Sequence, residues 1–240
     1  LVRHLDGGII QPGYVDLQVN GGGGVMFNDD QSVDALRTIA SAHASCGTCA
    51  ILPTLITDNF AKTTAAIDAV ALAIRQNVSG IIGIHLEGPH LSIARKGAHD
   101  PSLIRPMDHV DLDLLLSAAA RIPNVMVTLA PESTSVTQIR SLVDAGITVS
   151  LGHTDANYDS CMSAFDAGAR CVTHLFNAMS QMGNREPGLV GAALVRDDVY
   201  TGLIADGIHV HSAAIRTAVA AKGSNLFLNR LNHAFICVTN

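Results

Sequence analysis

Along the chain, short runs of β-branched and apolar residues alternate with longer alanine-rich stretches whose apolar positions recur at helical spacing. Gly13–Val19, Thr48–Leu55, Ile81–Leu86, Val125–Ala130, Ile147–Leu151, Arg170–Leu175 and Tyr200–Ala205 read as strands. Between them, Ser32–Ser45, Asn59–Gln76, Val110–Ala120, Val136–Ala145, Tyr158–Ala167 and Ser212–Lys222 read as helices. Ser32 and Asn59 stand where a cap would satisfy the first free N–H groups. Strand-then-helix order repeated this often, with strands apolar enough to be covered on both faces, predicts a parallel sheet. Seven such units, with room for an eighth strand near the C-terminus, favour an α/β fold of the (β/α)8 TIM-like barrel type. Strand eight is where that barrel is expected to be incomplete. An open doubly wound sheet is the alternative, since a strand count does not prove closure.

Composition narrows the picture. At 240 residues, 48% hydrophobic and 15% charged, the chain is neither disordered nor short of core, and residues 1–240 read as one barrel domain. Lys and Arg number 15 against 21 Asp and Glu, for a net charge of −6, and no basic run occurs, which argues against nucleic acid. No stretch approaches the roughly 18 consecutive apolar residues of a membrane span. The opening LVRHLDGG contains no apolar signal core and no initiator Met, so a fragment is expected. Five cysteines, an odd number, make no disulfide framework, and a cytoplasmic setting follows as the default. Cys46-Gly47-Thr48-Cys49 has redox spacing but leads into a strand, where that motif ordinarily opens a helix. The Gly21–Gly24 run is not a P-loop, because no helix carrying a Lys-Ser/Thr pair opens behind it.

In a barrel, chemistry collects at the C-terminal ends of strands. Strand one ends in DLQVNGGGG, three in GIHLEGPH, four in TLAPE, five in SLGHTDAN, six in THLFNAM and seven in IADGIHVH. Glutamate is scarce, with Glu87, Glu132 and Glu186 the only three, while histidine numbers 11. Glu87, His153 and His174 stand at the ends of strands three, five and six, so their side chains converge at one mouth. Two imidazoles and one carboxylate form a known catalytic zinc set with a position left for water. Such an ion acidifies the water and polarises a carbonyl, as amide hydrolysis requires. A single histidine would read as a hydrogen-bonded core residue; three ligand side chains on three strand ends favour the metal. His85, two residues before Glu87, reads as a packed, hydrogen-bonded histidine.

PGYVDLQVNGGGG, GIHLEGPH, KGAHDP, TLAPE, VSLGHTDAN, THLFNAMS, REPGLVGAAL and IADGIHVH, in this order from about Gly7 to Phe227, resemble the N-acetylglucosamine-6-phosphate deacetylases of the amidohydrolase superfamily. The resemblance implies Glu87, His153 and His174 as ligands of one divalent metal, zinc or iron. Many amidohydrolases hold a second metal through an HxH pair, but Gln18-Val19-Asn20 occupies that position here, and amides do not replace imidazoles as ligands. It further implies that His99 polarises the acetyl carbonyl. Asn177, the backbone N–H of Ala178, His209, and Arg185 reaching across a homodimer interface would bind phosphate, for which a planar guanidinium is suited. Asp206 takes a supporting role and His211 is incidental. Glu132 is read as structural and Glu186 as support near Arg185. The implied partner is an amino-sugar phosphate.

One expected group is missing. The family resemblance calls for an aspartate at the end of strand eight, as base towards water and acid towards the leaving amine. Family members have an apolar strand finishing Val-Thr-Asp-Ala; here Lys222–Leu228 begins properly and continues Asn229-Arg230-Leu231-Asn232-His233. If Leu226–Leu228 is strand eight, Leu231 takes the aspartate position; if Phe235–Thr239 is, Asn240 does. Neither supplies a base, so no catalytic acid–base residue is assigned. Most of the family's small β domain is also absent. The chain reads as a truncated family member with an aberrant C-terminal tail, weak or inactive as written. Two alternatives stand beside it: a non-catalytic sugar-phosphate-binding remnant, and another amidohydrolase acting on a cyclic amide.

Overall fold

A computed structural model describes Gly7 and residues 10–229. Eight parallel strands form one sheet: β1 (Tyr14–Val19), β2 (Thr48–Ile56), β3 (Ile84–Glu87), β4 (Val125–Leu129), β5 (Thr148–Leu151), β6 (Cys171–Val172), β7 (Tyr200–Ile204) and β8 (Leu226–Asn229). Each pairs with the next along the chain, with no crossover in the order. A doubly wound sheet needs a reversal of strand order, so that alternative falls. The last strand comes back to the first, where Asn229 Nδ2 donates to Gln18 Oε1 at 3.1 Å. The fold is a nearly closed (β/α)8 barrel.

The strand runs are apolar because each is covered twice. Ile84 and Leu86 of β3, Val127 and Leu129 of β4, and Val149 and Leu151 of β5 are all buried in one continuous core with the helices. That core includes Ile67 and Val70 of α2 (Phe60–Arg75), Ile139 and Leu142 of α4 (Val136–Asp144), and Phe165 of α5 (Tyr158–Asp166). Alternate residues face the lumen, which is polar beneath the mouth. His85 bonds Thr54 and Thr128, Thr128 bonds Thr173, and Thr173 bonds Ser150, the last three contacts all at 2.7 Å. The hydrogen-bonded reading of His85 holds.

The helix starts follow their caps. Ser32 caps α1 (Val33–Ser45) and Asn59 caps α2, while Asp108 and Ser135 close capping boxes on α3 (His109–Ala119) and α4. His211 accepts from Ala213 N and caps α7 (Ser212–Lys222), which gives it a local job. The Cys46–Cys49 segment closes α1 rather than opening a helix, so it lacks the setting of a redox motif. Gly21–Gly22 and Val25–Met26 form a small antiparallel hairpin, which accounts for the glycine run.

Three elements differ from the sequence reading. β6 keeps only Cys171–Val172 of the expected Arg170–Leu175, because the backbone turns away at His174. A helix over Gly188–Val195, α6, had no periodic signal, since its residues are almost all apolar and Gly188–Ala193 are buried throughout. Strand eight is the Leu226 segment; Leu231, Phe235–Thr239 and Asn240 lie outside the described residues.

Candidate metal centre

Glu87 is the last residue of β3, while His153 and His174 each follow their strands by two residues. Among the described residues, five non-glycine residues have positive φ, and four of them, His153 (+47°), His174 (+38°), Phe176 (+78°) and Ala178 (+48°), lie on the loops after β5 and β6. Left-handed backbone at such residues costs roughly 1–3 kcal/mol each and persists only where the surroundings enforce it. The strain is concentrated where the imidazoles are aimed.

The three side chains form a small triangle. Glu87 Oε1 lies 3.3 Å from the Nε2 atoms of both histidines, which are 3.0 Å apart. His153 Nδ1 donates to Arg95 O at 2.9 Å and His174 Nδ1 to Asn177 O at 3.1 Å. Carbonyls only accept, so Nδ1 carries the proton in each ring and Nε2 turns its lone pair inward. Ligands about 2.0–2.1 Å from a tetrahedral ion stand about 3.3 Å from one another, close to the observed edges. Glu87 Oε1 is buried without a hydrogen bond, an acceptor in need of a partner. Among the described residues this is the one group of three or more ligand-type side chains placed to hold a metal ion.

The electrostatics agree. Burial opposes ionisation of Glu87, yet positive charge on the two imidazoles, where a bound cation would otherwise supply it, outweighs burial and holds the carboxyl well below its usual range. Burial likewise works against a charged His153, and the Glu87 carboxylate overcomes it to raise that group. The site calls for positive charge at its centre, and its nitrogen and oxygen donors fit a divalent ion of the zinc type.

His99 is brought to the same place, its ring 4.4 Å from that of His153. Its Nδ1 accepts from the Thr57 backbone N–H at 3.3 Å and hydroxyl at 2.7 Å, so the proton sits on Nε2. Burial pushes His99 down to about 4, leaving a neutral imidazole with one N–H to donate. Thr57 can come this close because Gly88 has no Cβ; one there would stand 2.2 Å from Thr57 Oγ1. Nothing in the sequence singled out Thr57, whose partner is 42 residues away.

Gln18 does not act as a ligand substitute: its Nε2 donates to Glu87 Oε2 at 3.0 Å. Asn177 and Ala178 follow His174 on its loop, where Asn177 O holds that ring and the Ala178 N–H has no partner among the described residues. Arg185 is exposed and bonds nothing among the described residues, so it is not drawn into the cluster. His209 pairs with Asp206 at 2.6 Å on the loop after β7, separate from the triangle. Asp206 also accepts from Ile208 N and His209 N and is held at about 2, mainly by those backbone bonds, which suits a loop brace and not a base.

Glu132 braces the Thr154 hydroxyl and Asp155 N, the structural role expected of it. Glu186 corrects the sequence reading. It does not support Arg185; its Oε1 accepts from Tyr158 N at 2.6 Å and Gly188 N at 3.0 Å, joining the starts of α5 and α6.

Residues 9–238 match the amidohydrolase family. An N-acetylgalactosamine-6-phosphate deacetylase from Shewanella sp. (strain ANA-3) is 46% identical over 220 residues, covering 92% of this chain and 55% of the relative. An N-acetylglucosamine-6-phosphate deacetylase from Haemophilus influenzae is 39% identical, covering 92% of this chain and 58% of its own length. Among solved structures, the N-acetylglucosamine-6-phosphate deacetylase from Pasteurella multocida superposes with a TM-score of 0.89 at 39% identity, covering 93% of this chain and 58% of that one. The chain thus spans little more than half the length of the relatives it matches.

Proposed function

Since the chain belongs to the amidohydrolase family, we propose that its site is built to remove acetate from N-acetylglucosamine 6-phosphate, giving glucosamine 6-phosphate. The observation that carries this is the Glu87–His153–His174 triangle, with its unpartnered Glu87 Oε1 and the His99 N–H beside it. Those three residues would hold one divalent ion, zinc first and iron second. When bound, such an ion polarises a carbonyl and acidifies water. His99 donates Nε2–H to the acetyl oxygen, and its neutrality keeps it from repelling the cation. Asn177, the free N–H of Ala178, His209 and Arg185 bind phosphate, with Arg185 contributed across a homodimer interface. Its exposure, with no ion pair among the described residues, is consistent with that part.

The reading takes residues 1–240 as one barrel domain in a cytoplasmic setting, the default for five cysteines, an odd number that makes no disulfide framework. The galactosamine epimer is a second substrate candidate, favoured by the 46% identical relative that bears that name.

Turnover by this chain is expected to be weak. β8 carries Leu226-Phe227-Leu228-Asn229, with no carboxylate, and Asp206 is the last acidic residue of the sequence. A positioned acid–base group contributes about 10²–10⁴-fold. The test is acetate release from both epimers, with metal content measured, by the chain and by Leu231→Asp. Slow release that rises at least 10²-fold in the variant supports the reading. Binding of glucosamine 6-phosphate with no acetate release by either protein would favour a non-catalytic remnant. A second bound metal and no sugar-phosphate binding would favour another amidohydrolase. Rapid release by the unaltered chain would refute the need for that aspartate.

A further inference from the structure

We propose that Asn229 and Gln18 form a relay that orients Glu87, Asn229 acting as a positioning residue at one remove from the metal centre. The inference rests on the metal reading of Glu87, His153 and His174. Asn229 Nδ2 donates to Gln18 Oε1 at 3.1 Å, and Gln18 Nε2 donates to Glu87 Oε2 at 3.0 Å. The three residues stand on β8, β1 and β3, all buried.

The direction of the relay is dictated from one end. A carboxylate only accepts, so the Gln18 amide must turn its NH₂ towards Glu87 and its carbonyl away. That carbonyl needs a donor, and Asn229 supplies one across the seam where the barrel closes. With Oε2 engaged, Oε1 is the oxygen left to face the two imidazoles, and it is the one without a hydrogen bond. The relay therefore selects one carboxylate oxygen and keeps the other off the ion.

Two observations indicate that Asn229 is placed for this role. Its own Oδ1 is buried and unsatisfied, a burden that an apolar side chain there would avoid. Strand β7 also clears space for it: a Cβ on Gly202 would stand 2.5 Å from Asn229 Nδ2. Groups that orient metal ligands typically change metal affinity by about 10–100-fold when removed.

The test uses the full chain freed of metal, titrated with Zn²⁺ against a chromophoric chelator, alongside the visible spectrum of the Co²⁺ form. Gln18→Met keeps the shape and removes both hydrogen bonds; Asn229→Val suits a strand and removes only the outer one. The expected result is a loss in Zn²⁺ affinity of about 10–100-fold for Gln18→Met and a smaller loss for Asn229→Val. The double variant should be no weaker than Gln18→Met alone, because the two act in series. Both single variants should alter the Co²⁺ band, since the second carboxylate oxygen is freed to reach the ion. Urea unfolding of the metal-free proteins identifies any variant that fails to fold; Gly202→Ala, which displaces the Asn229 amide, then replaces Asn229→Val.

If the parent chain binds Zn²⁺ and the variants bind within twofold with unchanged Co²⁺ spectra, the relay is wrong and the metal site stands. Additive losses would show that the two amides act separately and would overturn it too. No Zn²⁺ binding by the parent chain would remove the metal reading and the relay together.

Discussion

His85 and His99 are buried histidines held neutral by the loss of hydration, each pushed down to about 4. The consequence is a definite pH dependence of folding for the metal-free chain. Above pH 6.5 the rings are neutral whether the chain is folded or not, and they leave stability unchanged. Between 6.5 and about 4 only the unfolded chain takes up their protons, so stability falls as pH falls. The slope is roughly 1.4 kcal/mol per pH unit for each histidine. His90, also lowered by burial, adds in the same direction, while His153, raised beside Glu87, offsets part of the fall. Urea midpoints measured from pH 7 to 4.5 should fall steadily; a level profile would mean that these rings are hydrated. At this scale Glu87, His153 and His174 were legible because rare residue types stood at strand ends. Thr57 and Asn229 were not, since their roles come from hydrogen bonds spanning 42 and 211 residues of chain.

Among the elements, strands and capped helices were readable because their signals are local: runs of apolar residues, and a Ser, Asn or Asp before a helical period. Helix α6 was not, because its eight residues are all apolar or glycine and leave no polar face to set a period. Its start depends on Glu186, whose one oxygen takes an N–H from α5 and another from α6. Removing it in Glu186→Ala leaves two helix N-termini without their shared acceptor, a loss of about 1 kcal/mol. Chemical denaturation of the metal-free protein measures this, and a change under about 0.3 kcal/mol would show that water serves both N–H groups equally well. The loops after β5 and β6 show the opposite limit. Positive φ at His153, His174, Phe176 and Ala178 shortens β6 and aims the imidazoles, and no propensity scale assigns that conformation to those residues.

Across the whole barrel, the candidate metal centre joins the ends of β3, β5 and β6 in one triangle, so an ion bound there should add directly to global stability. At free Zn²⁺ one hundred times the dissociation constant, the gain is about 2.7 kcal/mol. For a domain of this size that raises Tm by about 5–10 °C, and a chelator should abolish the rise. No Tm shift at saturating metal would separate the triangle from the fold's stability. Tyr14 and Val15 on β1 and Leu228 on β8 are exposed. Sequence alone determined the barrel class, the order of its units and which three side chains meet at its mouth, because apolar periodicity and rare side chains at strand ends are one-dimensional signals. Tertiary structure alone decided which segment is strand eight, which imidazole nitrogen faces the centre, and that Gln18 serves Glu87 instead of standing in for a ligand. Those outcomes depend on hydrogen bonds between residues far apart in the chain, whose partners are identified only when closure of the barrel brings β8 to β1.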